Sequence, residues 1–197
     1  ASSSAASDVY KRQVLGLDIS GTTDIGADIT TTGTQTYTGA VTLTAGATLD
    51  ATGNNNITFA NTVGAGSALG LSVDAGTAIV QFANTVGSGQ ALGAIVITGQ
   101  LDSNNTIDAA SMTVSSTSSL LGTVTTSGVQ TYTGAVTLDS GGATNVIAGS
   151  LVTFAGGITG NGKNLDLNGN FANDTAVTGV LGLDISGTTD IGADITT

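Results

Sequence analysis

The sequence predicts an all-β chain, folded as a parallel β-solenoid of about seven to eight coils of 23–24 residues. Three observations predict it. The composition is poor in helix formers, the sequence repeats itself at fixed spacings, and short apolar/polar alternations are cut by glycine.

Among 197 residues there are 30 Gly but no Pro, Cys, Trp or His; all 14 acidic residues are Asp, and the basic residues are Lys11, Arg12 and Lys163. Without Glu and nearly without Lys, the chain lacks the residues that favour helix, while Thr, Val and Ile favour strands. The net charge of −11 argues against nucleic acid as a partner, because phosphate binding needs clustered Lys and Arg. No apolar run is long enough for a membrane-spanning helix, so no membrane insertion is expected. The absence of Cys removes disulfide and thiolate-metal frameworks.

Residues 1–13, ASSSAASDVYKRQ, hold two of the three basic residues, lack alternation and do not recur. They resemble the translation of a sequencing adapter and are read as a non-native or disordered leader. The solenoid domain is expected over residues 14–197.

That body repeats at three spacings. The string VLGLDISGTTDIGADITT at 14–31 returns unchanged at 180–197; TTTGTQTYTGAVTL at 30–43 matches TTSGVQTYTGAVTL at 125–138; and FANTVGAGSALG at 59–70 matches FANTVGSGQALG at 82–93. The shortest of these spacings is one coil of a solenoid, stable only when stacked, and the longer two are near-multiples of it. The two QTYTG segments are therefore expected to be equivalent rungs four coils apart. Likewise the identical ends should share one angular position seven coils apart.

Within a coil the period is two. Ile57, Phe59 and Val63 alternate with Thr58, Ala60 and Thr62, and Tyr37, Val41 and Leu43 alternate with threonines. Ile57, Phe59, Val63, Phe82 and Val86 are expected to point inward, with Phe59 directly on Phe82. The turns GAG (64–66), GSG (87–89) and TGNGKN (159–164) supply glycine and asparagine for tight corners. Asn54, Asn55 and Asn56 are candidates for a stacked amide ladder at a corner or for a solvated turn.

The strings TQTYTGAVTL, ITFANTV and GSLVTFAGGITGNGKNLDLNG, with recurring Thr-Gly units, resemble the repeat regions of filamentous-haemagglutinin-like adhesins and autotransporter passengers of bacteria. The resemblance covers residues 14–197. It implies a right-handed parallel β-helix displayed extracellularly on a Gram-negative cell surface, with further copies of itself end to end or surface glycans as partners. The family's secretion domain and membrane barrel have no counterpart in these residues.

Chemistry-bearing residues are sparse. Without His or Cys the common general base, thiolate nucleophile and imidazole ligand are missing, and no GxSxG elbow or P-loop occurs. The chain is therefore expected not to be an enzyme. Paired carboxylates able to cleave glycans would have to be Asp24 with Asp28, or Asp166 with Asp174. Two clusters, Asp18, Asp24 and Asp28 and their copies Asp184, Asp190 and Asp194, are the candidate calcium ligands and calcium the candidate cofactor. The competing reading is that these Asp cap turns and solubilise the surface. An ice-binding face would need a Thr pair in every coil, and the Thr pair of QTYT occurs in two coils only. A structural or adhesive repeat segment is the leading functional expectation, ahead of a filament subunit assembling head to tail and of a carbohydrate-binding or carbohydrate-cleaving solenoid.

Overall fold

The computed structural model describes residues 14–139, 144–173 and 175–197; the leader, residues 1–13, lies outside the described residues. Among the described residues every regular element is a β-strand, and the strands pair in parallel from coil to coil. The fold is the β-solenoid expected.

Each coil has three sides. The first coil lays down Leu17–Ile19, Thr23–Ile25 and Ile29–Thr31, and the next stacks Gln35–Tyr37, Val41–Leu43 and Ala47–Ala51 on them in register. On the first side the column of paired residues runs Leu17, Gln35, Ile57, Val80, Leu101, Ser118, Val136, Ile158, Val177 and Ile195, which makes about nine turns. That is close to the seven or eight expected.

Alternation explains why these short segments form strands. In most of them the residues facing in are apolar and those facing out are polar, so one coil buries a continuous inner surface on the coil beneath it. Ile57, Phe59, Val63, Phe82 and Val86 are all fully buried, as expected. Phe59 lies on Phe82 with ring centroids 5.1 Å apart, and Tyr37 stacks on Phe59 at 5.2 Å. The FANTV repeat is thus one true turn: Val63 bridges to Val86, and Asn61 and Asn84 each accept the backbone N–H of the following Thr at 2.8 Å.

Coil length is not uniform. The turn from Leu101 to Ser118 is short, that from Leu17 to Gln35 slightly longer, and that from Ala47 to Leu71 longer again by a third. In the first turns the inward positions Ile19, Ile25, Thr31, Tyr37, Leu43 and Leu49 fall at even intervals, one or two to a side. Longer turns extend a side or a corner, as at Gly53 and Asn54, where φ is 85° and 62°.

This variation corrects two expectations. Tyr37 sits in the column Ile19, Tyr37, Phe59, Phe82, Ser103, Leu120 and Leu138, whereas Tyr132 sits in the column Val73, Ile97, Val114, Tyr132 and Phe154. The two QTYTG copies therefore lie on different sides, four turns and two sides apart, and are not equivalent rungs. The identical ends also differ in angle. Ile19 is on the first side, but its copy Ile185 closes the second-side column Thr23, Val41, Val63, Val86, Ile107, Val124, Ile147, Leu167 and Ile185. Eight turns and about one side separate them.

Asn54, Asn55 and Asn56 form no mutual ladder. Asn55 Nδ2 donates back to Thr32 O of the preceding coil at 3.0 Å, while Asn54 Oδ1 and Asn56 Oδ1 accept the N–H of Thr77 and Ile79 of the next coil at 2.9 and 3.0 Å. The three amides clamp a lengthened corner to both of its neighbours.

The Gly of each TYTGAV copy has a different role, because it lies against the backbone of the preceding coil. A Cβ at Gly39 would come 2.2 Å from Gly21 O, and one at Gly134 would come 2.4 Å from the carbonyl carbon of Ser116. Backbone cannot yield as a side chain can. Gly39→Ala and Gly134→Ala are each expected to destabilise the chain by about 1–3 kcal/mol in denaturant titration. Gly66→Ala, where a Cβ meets nothing within 4 Å, should leave stability nearly unchanged.

Candidate functional site

The motif QTYTGAV, present in two copies, carries a buried polar device. Thr31 Oγ1 donates to Gly33 O at 2.6 Å, Gln35 Nε2 donates to Asp50 O, on the strand stacked over Ile29–Thr31, at 3.0 Å, and Tyr37 Oη donates to Gln35 Oε1 at 2.9 Å. The second copy reproduces it: Thr126 Oγ1 to Gly128 O at 2.8 Å, Gln130 Nε2 to Ala148 O at 2.7 Å, and Tyr132 Oη to Gln130 Oε1 at 2.9 Å. Because both copies make the same bonds on different sides, the motif is a corner staple that serves any side. Each Tyr then begins an aromatic column, Tyr37 on Phe59 at 5.2 Å and Tyr132 on Phe154 at 5.1 Å.

The staple is structural chemistry. All four side chains, Gln35, Tyr37, Gln130 and Tyr132, are fully buried and meet no solvent. Burial pushes the Tyr37 phenol up to about 12 and raises Tyr132 as well, by desolvation of the phenolate.

The six candidate calcium ligands are all exposed or half-exposed and are distributed rather than gathered. Asp18 is on Leu17–Ile19, Asp24 on Thr23–Ile25, and Asp28 precedes Ile29–Thr31, so the triplet runs along three successive sides of one coil. Asp28 Oδ1 accepts the Thr48 N–H of the next coil at 2.8 Å, the turn-capping alternative to calcium. In the other copy Asp184 pairs in register with Asp166, Asp190 with Ala172, and Asp194 O accepts the Val177 N–H at 3.1 Å. Among the described residues no three carboxylates lie together as a metal site would require.

The paired-carboxylate candidates are placed as follows. Asp24 and Asp28 occupy different sides, and Asp28 lines a shallow depression with Gly46, Thr48, Gly70 and Ser72 that holds no second carboxylate. Asp174 lies outside the described residues.

What the outer surface does present is columns of small polar side chains. On the first side the outward residues in register are Asp18, Thr36, Thr58, Gln81, Asp102, Ser119, Thr137, Thr159, Thr178 and Thr196. Seven of the ten carry a hydroxyl, in a single column rather than a pair. The column is not legible from the sequence, because it emerges only once the turn lengths are known. An open groove of about 530 Å³ lies between Gly87, Gln90, Leu92, Asp108 and Thr125 and is mostly apolar without an aromatic platform.

Comparison with protein-family models, with curated proteins and with solved structures gave no match.

Two outcomes follow from this geometry. In the unfolded chain a Tyr ionises near 10, so above that pH the unfolded state binds fewer protons than the folded state, whose Tyr37 holds its proton to about 12. Stability owed to the tyrosines should be constant from neutrality to about pH 10 and fall from there towards pH 12. Tyr37→Phe with Tyr132→Phe should cost about 1–3 kcal/mol per site near neutrality, through the orphaned Gln Oε1, and should flatten the alkaline fall in denaturant titrations. Second, with each Asp triplet spread over three sides, chelator is expected to leave the melting temperature unchanged. A drop restored by added calcium would show ligation that this arrangement does not provide.

Proposed function

We propose that the chain is a non-enzymatic structural and adhesive segment of an extracellular bacterial surface protein, a rod that spaces and displays columns of small polar side chains. The single observation that carries this reading is the stacking, among the described residues, of about nine coils whose outward residues are mainly Thr, Ser, Asn, Gln and Asp. Each coil adds about 4.8 Å of length, and the protein spends its sequence on that repetition. The polar side chains that are buried in the QTYTGAV copies are consumed in corner staples, and among the described residues the carboxylates come together in pairs at most, as Asp50 with Asp74 and Asp166 with Asp184.

The surface chemistry suits an exterior location. A body with thirteen Asp and one Lys repels other anionic surfaces at long range, so contact with a glycan surface would rest on short-range hydroxyl and amide hydrogen bonds. Antibody raised against the chain is expected to label intact cells that make it. Labelling that occurs only after lysis would contradict the reading.

A further inference from the structure

The dipeptide Asn-Gly occurs twice in the chain, as Asn161-Gly162 and Asn168-Gly169. Both asparagines are exposed and both lie on the strand Ile158–Asn173, yet the backbone around them is opposite in kind. At the first, the ladder to the next coil breaks between Thr159, which pairs with Thr178, and Lys163, which pairs with Val180, so residues 160–162 face Gly179 alone and bulge outward. Asn161 has φ 50° and Gly162 φ 70°, and a Cβ placed at Gly162 would meet nothing within 4 Å. At the second, the backbone is wedged between coils: a Cβ at Gly169 would run into Gly149 O of the preceding coil, and Gly169 N donates to Ser186 Oγ of the next at 3.1 Å.

We infer that Asn161 is a self-modification site, at which the chain converts its own side-chain amide to a carboxylate. Hydroxide takes the proton from the backbone nitrogen of Gly162, and that nitrogen attacks Cγ of Asn161. The bond from Cγ to Nδ2 then breaks, and the nitrogen leaves as ammonia, taking a proton from water and regenerating the hydroxide. A cyclic succinimide remains, and water opens it at either carbonyl to give aspartate or isoaspartate. The balance is asparagine plus water to aspartate plus ammonia. Gly162 suits the attack because it has no Cβ to shield its nitrogen and leaves the bulge free to rotate. What holds the carboxamide back is the bond from Asn161 Nδ2 to Leu138 O of the preceding coil, 3.0 Å long, and one hydrogen bond slows the reaction by about tenfold at most. At Asn168 the same approach requires the backbone to be prised away from Gly149 and from Ser186, which is an opening of the stacked wall itself.

The product undoes the bond that the amide made. An aspartate at this position has no N–H to give, and its carboxylate would set oxygen against Leu138 O, so the bulge is released from the coil beneath it. In the isoaspartate form Cβ enters the main chain and lengthens the bulge between Gly160 and Lys163. Gly160 stays seated, since it lies so close to Val180 that a Cβ there would come 2.5 Å from Val180 Cα, and the added length projects into solvent. Each event also places a new negative charge two residues from Lys163, the single basic residue of the body. The reaction runs one way and needs only water, so product accumulates with the age of the chain wherever the rod is displayed.

The test follows the full chain at mildly alkaline pH, folded and in denaturant, by peptide mass mapping that reads the exchange of NH for O at each Asn-Gly, together with the isoaspartate formed. In denaturant the two sites should react at similar rates, because both are Asn followed by Gly. In the folded chain Asn161 is expected to react within about tenfold of its unfolded rate, and Asn168 more slowly than Asn161 by about tenfold or more. Asn161→Gln, whose longer side chain closes the imide far more slowly, should abolish the early product and the ammonia released with it. A folded chain in which Asn161 survives as long as Asn168, or in which Asn168 reacts first, would overturn the inference. So would early ammonia release that persists in Asn161→Gln.

Discussion

Everything in this molecule follows from one constraint: each coil must lie in register on the coil before it, about 4.8 Å away. Side chains at matching positions then touch their counterparts directly. Inside, this selects shapes that stack, and Tyr37, Phe59 and Phe82 form a column of nearly parallel rings, with interplanar angles of 9° and 20°. Outside, it disfavours long or repeatedly like-charged side chains, which accounts for a body with a single Lys and no Glu. At corners the backbones themselves meet. There the chain uses glycine where no Cβ fits, as at Gly39 and Gly134, and asparagine where a side chain must reach the coil above or below, as at Asn54 to Asn56.

A second consequence is that the sides are interchangeable. The QTYTGAV staple makes the same bonds on the first side at Tyr37 and on the third at Tyr132, because its partners are its own preceding corner and one carbonyl of the strand stacked over the strand that leads into that corner. Nothing in it depends on which side it occupies. A turn can therefore be as short as Leu101 to Ser118 or as long as Ala47 to Leu71 without disturbing its neighbours, so long as the inward positions stay in register.

That interchangeability explains what the sequence reveals and what it conceals. The fold class, the inward set Ile57, Phe59, Val63, Phe82 and Val86, and the stacking of Phe59 on Phe82 are legible, because alternation and the FANTV repeat act over one turn. The angular relation of the distant copies is not. Dividing the spacing of the QTYTG copies, or of the identical ends, into equal coils gives a false register, because the turns vary in length. The finer period is every sixth residue, visible in Ile19, Ile25, Thr31, Tyr37, Leu43 and Leu49 and again in Val114, Leu120, Thr126, Tyr132 and Leu138. The same period separates Asp18 from Asp24. The two fall on different sides, so their proximity along the chain does not become proximity in space. The hydroxyl column from Ser119 to Thr196 shows the converse, since residues a full turn apart become neighbours.

The claim that stacking in register organises the chain is tested most directly by nitroxide labels at Thr36, Thr58 and Gln81, outward positions on three successive coils of the first side. With neighbouring rungs about 4.8 Å apart, labels on adjacent coils should show strong dipolar broadening, and the triple label should collapse to an exchange-narrowed line. Spectra of the adjacent pairs that equal the sum of the single labels would contradict the account.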